Sequence, residues 1–263
     1  MYDFHVHSCF SNDCSQTLEQ ISEKAYQIGL EGICLTDHVD IDYESAITFE
    51  IDYKEYAKAI EKLRQKYAGK LSIFMGLELG LQPHVLEKCN AYLADKPFDF
   101  IIGSIHAVKR KELFHSHFLE GITEHQGILD YFEELLFCVR HYSDYDILGH
   151  MDVFRRYLKS GEHVFNFNMY REYIEEVLKT LISNGKGIEI NTSGTYGLST
   201  FHPLPEIIML YKELGGEIIT LGSDSHYPQV LGDSFDKAKE LLLRTGFKQY
   251  TIFKERKPLF IEL

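Results

Sequence analysis

Seven times along the chain, a short apolar, β-rich run gives way to a segment with helical periodicity. The runs span 2–7, 32–38, 72–80, 98–106, 146–151, 187–193 and 217–226. Their hydrophobics are continuous rather than alternating, as expected of parallel strands covered on both faces. Helices are predicted over 17–29, 54–67, 83–94, 125–142, 168–184, 204–214 and 234–245. In the first, Leu18, Ile21, Ala25 and Ile28 share one face, and Thr17 with Gln20 makes a capping box. Pro83 suits a first helical turn, and Asn184-Gly185 supplies a stop. A repeated β-then-α order implies a parallel sheet. Seven units without a Gly/Pro/Ser-rich linker predict one α/β domain over 1–263, closed into a barrel related to the TIM type. An open doubly wound sheet is the alternative, but no GxGxxG follows the first run. The tail, YTIF and KPLFIEL, is expected to add an edge strand or to pack across the barrel bottom. Loop 107–124 is expected to lie over the site.

The ends of the predicted strands carry the chemistry. His5 and His7 close the first, Asp37 and His38 the second, and Glu78 lies in the third. His106, His150 and Asn191 end the next three, and Asp224 with His226 ends the last. In a barrel these ends converge on one face. Two residues apart on a strand, His5 and His7 point to the same side, and Asp224 with His226 is expected to repeat that geometry. Imidazoles and carboxylates gathered in this way suit a cluster of divalent metal ions, with Glu78 able to bridge two of them. The pair His115 and His117 sits in a polar loop and is not counted among the ligands.

The net charge of −13 argues against nucleic acid or an anionic membrane as main partner. No apolar run approaches the roughly 18 residues that a membrane span needs. The N-terminal MYDFHVHSCFS lacks the basic and apolar regions of a signal peptide. Five cysteines, odd in number and without a CxxC pair, fit reduced thiols and a cytoplasmic location.

HVHSCFSND, LTDH, GLELG, GSIH, LGHMDVFRRY, EINTSG and GSDSH occur in this order. Together they resemble the polymerase-and-histidinol-phosphatase (PHP) superfamily, over residues 3 to about 250. LGHMDVFRRY and EINTSG look most like its histidinol-phosphate phosphatases. The resemblance implies a distorted (β/α)7 barrel and three divalent ions, zinc, manganese or iron. It implies His5, His7, Glu78 and Asp224 on one metal and Glu78, His106 and His150 on a second. The third would take Asp13, His38 and His226, with Asp13 standing where some relatives have His. Glu78, Asp224 and His226 are also the candidates for the catalytic step. Water activated by the metals would attack a phosphate monoester, most plainly L-histidinol phosphate, without a protein nucleophile. Asp3, Asp37, Asp152 and Asn191 are candidates for orienting the ligands.

The phosphate needs a cation, and Arg155 and Arg156 follow His150. Arg155 is the preferred phosphate ligand, with Arg156 second. His202 is a third candidate, by hydrogen bonding from the loop after NTSG, where many relatives carry a basic residue. No Lys or Arg lies between Lys186 and Lys212 here, which keeps another small phosphoester or a nucleotide open as substrate. A polymerase-associated exonuclease fits an acidic chain poorly, and a non-catalytic scaffold would have lost ligands. An aspartyl-phosphate mechanism needs DxDx[TV], which Asp40-Ile41-Asp42-Tyr43-Glu44 does not provide.

Overall fold

The computed structural model describes residues 1–44, 49–161, 165–198 and 200–263. Seven parallel strands follow one another around a barrel: β1 (Tyr2–Val6), β2 (Gly32–Leu35), β3 (Ser72–Gly80), β4 (Phe100–Ser104), β5 (Ile147–Leu148), β6 (Gly187–Asn191) and β7 (Ile219–Gly222). Neighbours in sequence are neighbours in space, as in a (β/α) barrel rather than a doubly wound sheet. The strand interiors are fully buried, which accounts for their continuous apolar runs.

The barrel closes between β7 and β1. Asp224 N donates to His5 O at 2.8 Å, His7 N donates to Ser225 O at 3.0 Å, and Val6 bridges Ser225 in parallel. Beside this seam lies the buried carboxylate of Asp3. It accepts bonds from Ser223 N (2.9 Å), Ser223 Oγ (2.5 Å) and Gly232 N (3.0 Å). The predicted seventh strand ends at Gly222, so Asp224 and His226 do not continue a two-residue alternation. Asp224 instead has φ +52°, a left-handed conformation uncommon outside glycine that turns the chain at the barrel mouth.

The second predicted strand is also interrupted. It pairs with β1 as far as Leu35, and His38–Val39 then pairs with Glu78–Leu79 of β3. The cause is Asp37, fully buried, whose carboxylate accepts bonds from Ser8 N (2.6 Å), Ser8 Oγ (2.7 Å) and Ser11 Oγ (2.8 Å). Satisfying that buried charge locally draws the chain off the β1 ladder and sets His38 beside Glu78.

Helices α1 (Leu18–Gln27), α2 (Tyr53–Lys66), α3 (Leu86–Leu93), α4 (Glu124–His141), α5 (Phe167–Ser183), α6 (Pro205–Glu213) and α7 (Phe235–Arg244) cover the barrel. The Thr17–Gln20 capping box is present, and Asp52 caps α2. Helix α3 starts at Leu86, leaving Pro83 in the turn before it. The tail forms an antiparallel hairpin, β8 (Gln249–Lys254) with β9 (Lys257–Glu262), separate from the barrel sheet. It packs across the strand starts: Phe253 stacks on Phe100 at 5.1 Å, and Ile219 N donates to Thr251 Oγ1 at 3.2 Å. Each aromatic side chain sealed there contributes about 2 kcal/mol by burial. At the opposite end, loop 107–124 folds into a small hairpin (Ala107–Val108 with Lys111–Glu112) and a 3-10 turn, and its Leu113 and Phe114 line the cavity at the barrel mouth.

Candidate metal centre

Glu78 sits at the centre of the mouth, fully buried on β3. Its Oε2 lies 3.2 Å from His5 Nε2, 3.4 Å from His7 Nε2 and 3.0 Å from His38 Nδ1. Its Oε1 lies 3.1 Å from His106 Nε2 and 2.8 Å from His150 Nε2. Asp224 Oδ1 closes the group, 3.2 Å from His7 Nε2 and 3.7 Å from His5 Nε2. Further out, Asp13 Oδ2 is 3.2 Å from His226 Nε2 and 3.6 Å from His38 Nε2. All nine residues expected at the metals are thus brought together. Three-residue sets with donor atoms within 4.8 Å of one another include His5, His7 and Glu78, then Glu78, His106 and His150, then His7, His38 and His226.

These residues fit cations. Among the described residues, His5 Nε2, His7 Nε2, His38 Nδ1 and Glu78 Oε2 are buried without a hydrogen-bond partner. Such orphaned atoms are costly, and here they face one another at the cluster centre. A divalent ion would satisfy several at once, and neutral imidazole with carboxylate is a donor set for zinc, manganese or iron.

A second layer holds the ligands from behind. His5 Nδ1 lies 2.7 Å from Glu189 Oε1, and Glu189 Oε2 accepts from His150 N at 3.0 Å and Asn191 Nδ2 at 3.1 Å. His106 Nδ1 lies 2.8 Å from Asp40 Oδ1. An Nδ1–H given to a carboxylate leaves the Nε2 lone pair free for a metal. Two glycines make room for this layer. A Cβ on Gly222 would collide with Glu189 Oε1 and His5 Cβ, and one on Gly80 with the Asp40 carboxylate. The last glycine of GLELG, Gly80, and the glycine of LGSDSH, Gly222, therefore serve close approach.

Electrostatics follows from this crowding. Burial opposes charging His5, but the carboxylates of Glu189, Glu78 and Asp224 outweigh it and hold the imidazole well above the usual histidine range. Burial, reinforced by His226 and His38, drives His7 well below that range. Burial would raise Glu78, yet His5, His38 and His106 hold its carboxyl well below normal. The same contest, won by His226 and His38, lowers Asp13 to about 2. Burial is outweighed by Asp13 and Asp224 at His226, which is raised to about 9. Ionised carboxylates thus share protons with clustered imidazoles, and cations would replace those protons.

Above the cluster opens a cavity of about 850 Å³. Its walls include Tyr43, Phe49, Phe114, Tyr157 and Tyr227, with Arg156 and Ser193 on one side. Arg156 NH2 donates to Ser193 Oγ at 2.6 Å, and Ser193 Oγ is 3.2 Å from Asp224 Oδ2. Arg155, the residue preferred for phosphate on sequence, is only 2 % exposed and does not line the cavity. Its NH1 donates to Asp152 Oδ2 (2.9 Å) and Phe201 O (3.2 Å). The two arginines lie in a 3-10 turn, Val153–Tyr157, which sends adjacent side chains in different directions. His202 is likewise buried and off the cavity wall: its Nδ1 lies 2.8 Å from Asp152 Oδ1, and its backbone pairs with Asn191. Asp152 therefore ties Arg155 and His202 together rather than orienting a ligand. Tyr196, which the sequence offers beside His202 for hydrogen bonding to the phosphate, has its side chain outside the described residues, as does His163, expected to face solvent.

Glu189 and Asp40 were not singled out as ligand supports from sequence. The signal for Glu189 was available, since a glutamate inside the apolar run GIEIN must have a buried partner. Asp40 is two residues beyond His38, and nothing in the sequence assigns it to His106.

The PHP domain family model matches residues 3–193. The histidinol-phosphatase of Lactococcus lactis is 32% identical over 257 residues, covering 97% of this chain and 95% of that protein. A probable histidinol-phosphatase of Clostridium acetobutylicum is 30% identical, covering 94% and 95%. The crystal structure of the Lactococcus lactis histidinol phosphate phosphatase, complexed with zinc, L-histidinol and phosphate, matches at TM-score 0.89 and 30% identity over 98% of each chain. A putative histidinol phosphatase from Listeria monocytogenes shares the fold, at TM-score 0.81 and 19% identity over 90% of this chain and 99% of that one. With barrel, ordered motifs and full-length relatives in agreement, the chain belongs to the PHP domain family.

Proposed function

We propose that this chain is a metal-dependent phosphomonoesterase that hydrolyses L-histidinol phosphate to L-histidinol and phosphate, a late step of histidine biosynthesis. The observation that carries the reading is Glu78, ringed by five imidazoles at the floor of an open cavity whose wall holds Arg156. Full-length similarity to the Lactococcus lactis enzyme supports the substrate.

His5, His7, Glu78 and Asp224 would hold one divalent ion, Glu78, His106 and His150 a second, and Asp13, His38 and His226 a third. When bound, such ions neutralise charge on phosphoryl oxygens and acidify water near neutral pH. Zinc, manganese and iron all suit the donor set. The protein supplies the rest. Glu189 and Asp40 fix the tautomers of His5 and His106. Arg156, steadied by Ser193, offers a guanidinium to the phosphate. Glu78, Asp224 and His226 are assigned the catalytic step. All three line the cavity, and the Asp224 carboxyl is held well below the usual range: burial is outweighed by His5, His7 and His226. It stays ionised and can accept a hydrogen bond from attacking water. The expected location is the cytoplasm, in keeping with free thiols at Cys9, Cys14, Cys34, Cys89 and Cys138.

A second reading, another small phosphoester as substrate, is favoured by one observation. Among the described residues, Arg156 is the single Lys or Arg lining the cavity. A phosphate-release panel on protein loaded with manganese or zinc decides between them. Histidinol phosphate should exceed nucleotides and sugar phosphates in kcat/KM, and a chelator should abolish turnover. Preference for a nucleotide or sugar phosphate would overturn the assignment of substrate.

A further inference from the structure

We infer that Glu112 is the specificity-determining residue that receives the ammonium group of the substrate. This rests on the reading of histidinol phosphate given above. Glu112 lines the same cavity as the metal cluster. The other acids on that wall, Asp13, Asp40, Glu78 and Asp224, each touch an imidazole of the cluster. Glu112 does not belong to that group. Its side chain, 12% exposed, lies 2.8 Å from His117 Nδ1 and accepts a hydrogen bond from the phenol of Tyr43.

The backbone holds Glu112 close to the cluster. Ala107 pairs with Glu112, and Leu113 N donates to His106 O at 2.9 Å. The turn between the paired segments uses Lys109 and Arg110, both at positive φ, as a tight two-residue hairpin requires. Glu112 is therefore indexed to a residue that contacts Glu78, one step removed from the ligands themselves.

Charge explains why a carboxylate there needs a purpose. A phosphate monoester is an anion, and an extra carboxylate in its cavity lowers affinity for every such substrate. The repulsion becomes selectivity when the substrate also carries a cation. A primary ammonium between Glu112 and the faces of Tyr43, Phe114 or Tyr157 would gain a charge-assisted bond in a partly dry setting, with aromatic surfaces beside it. L-histidinol phosphate has such an ammonium, whereas a simple alkyl or aryl phosphate does not.

The test compares L-histidinol phosphate with 3-(imidazol-4-yl)propyl phosphate, its analogue lacking the amine, on the metal-loaded protein. The wild type should prefer the amine-bearing ester by about 10- to 100-fold in kcat/KM, the scale of one charge-assisted hydrogen bond. Glu112→Gln should erase most of that preference while leaving turnover of the analogue within about threefold, and Glu112→Asp should retain part of it. Equal loss on both esters would make Glu112 structural and overturn the inference, as would a preference that survives Glu112→Gln. Equal use of both esters by the wild type also overturns it but leaves the phosphatase reading intact. A wild type that hydrolyses other phosphomonoesters but not histidinol phosphate overturns the substrate reading and this inference with it.

Discussion

At the bottom of the barrel, buried acids are answered bond for bond. Asp99 accepts from Arg64 NH2 (2.5 Å), Met75 N (2.9 Å) and Glu255 N (3.1 Å). Asp146 accepts from Ile101 N (2.8 Å) and Arg256 Nε (2.6 Å). At the mouth, the Glu78 carboxylate is ringed by imidazoles, and five buried atoms of that group have no hydrogen-bond partner among the described residues. The bottom uses arginine and backbone N–H groups, whose donors are permanent. The mouth uses histidine, whose lone pairs can be offered to something else. The same strands end in stability on one side and in an unfinished coordination problem on the other.

The largest effect should come from Glu78. Glu78→Gln removes the charge on which five imidazoles converge. Turnover of the phosphoester should fall by at least about 10³-fold, some 4 kcal/mol of lost transition-state stabilisation. The metal-free protein should keep its far-UV circular dichroism, because Glu78 anchors no backbone group among the hydrogen bonds described. Retention of metal stoichiometry and rate together would break the contrast between the two ends.

The mirror experiment sits at the bottom. Asp146→Ala strands Ile101 N and leaves the Arg256 guanidinium, 28% exposed, with Asp144 Oδ1 at 3.1 Å and water as its partners. Stability should fall by about 2 kcal/mol, read from denaturant unfolding of the metal-free protein. The kcat of the surviving folded fraction should not change. A kcat that falls in step with stability would mean that the two ends are mechanically coupled.

Glu189→Gln tests the layer between these extremes. The amide still fills the space beside Gly222 but no longer carries the charge that holds His5 Nδ1–H. Metal affinity, measured by competition with a chromogenic chelator, should weaken about 10- to 100-fold, the usual cost of losing such a partner. Gly222→Ala should act in the same direction by pushing Glu189 off His5. Unchanged affinity in both variants would assign Glu189 to folding alone.

How much of this was legible in the sequence depends on what kind of force placed each residue. His5, Glu78, His106 and His150 could be located because apolar runs fix where a buried strand lies, and a polar residue at its end stands out. Asp224 and His226 also stand out at the end of an apolar run, but they reach the mouth without the two-residue strand alternation expected of them. Their strand stops at Gly222, and a positive-φ turn does the positioning. Asp37 broke a predicted strand because a buried carboxylate draws in its own donors, which hydrophobic periodicity cannot register. Asp40 and Glu189 escaped notice for a related reason: their roles depend on which strand lies beside them, and the two glycines that admit them read locally as turn or packing residues. Arg155 and Arg156 are adjacent, and no pattern of single residues says which one a 3-10 turn will bury.

That last pair gives the smallest effect and the sharpest division of labour. Arg156 lines the cavity, whereas Arg155 is sealed against Asp152 and Phe201 O. Arg156→Ala should raise KM for the phosphoester about tenfold, the value of one exposed charge-assisted hydrogen bond, with little change in Tm. Arg155→Ala should do the reverse. It leaves Asp152 facing His202 and Leu204 N without its cation, so Tm should drop while KM stays within about twofold at a temperature where the variant is folded. If Arg155→Ala raised KM and Arg156→Ala did not, the phosphate would be held through the buried network. The mouth would then resemble the bottom more than the distances allow.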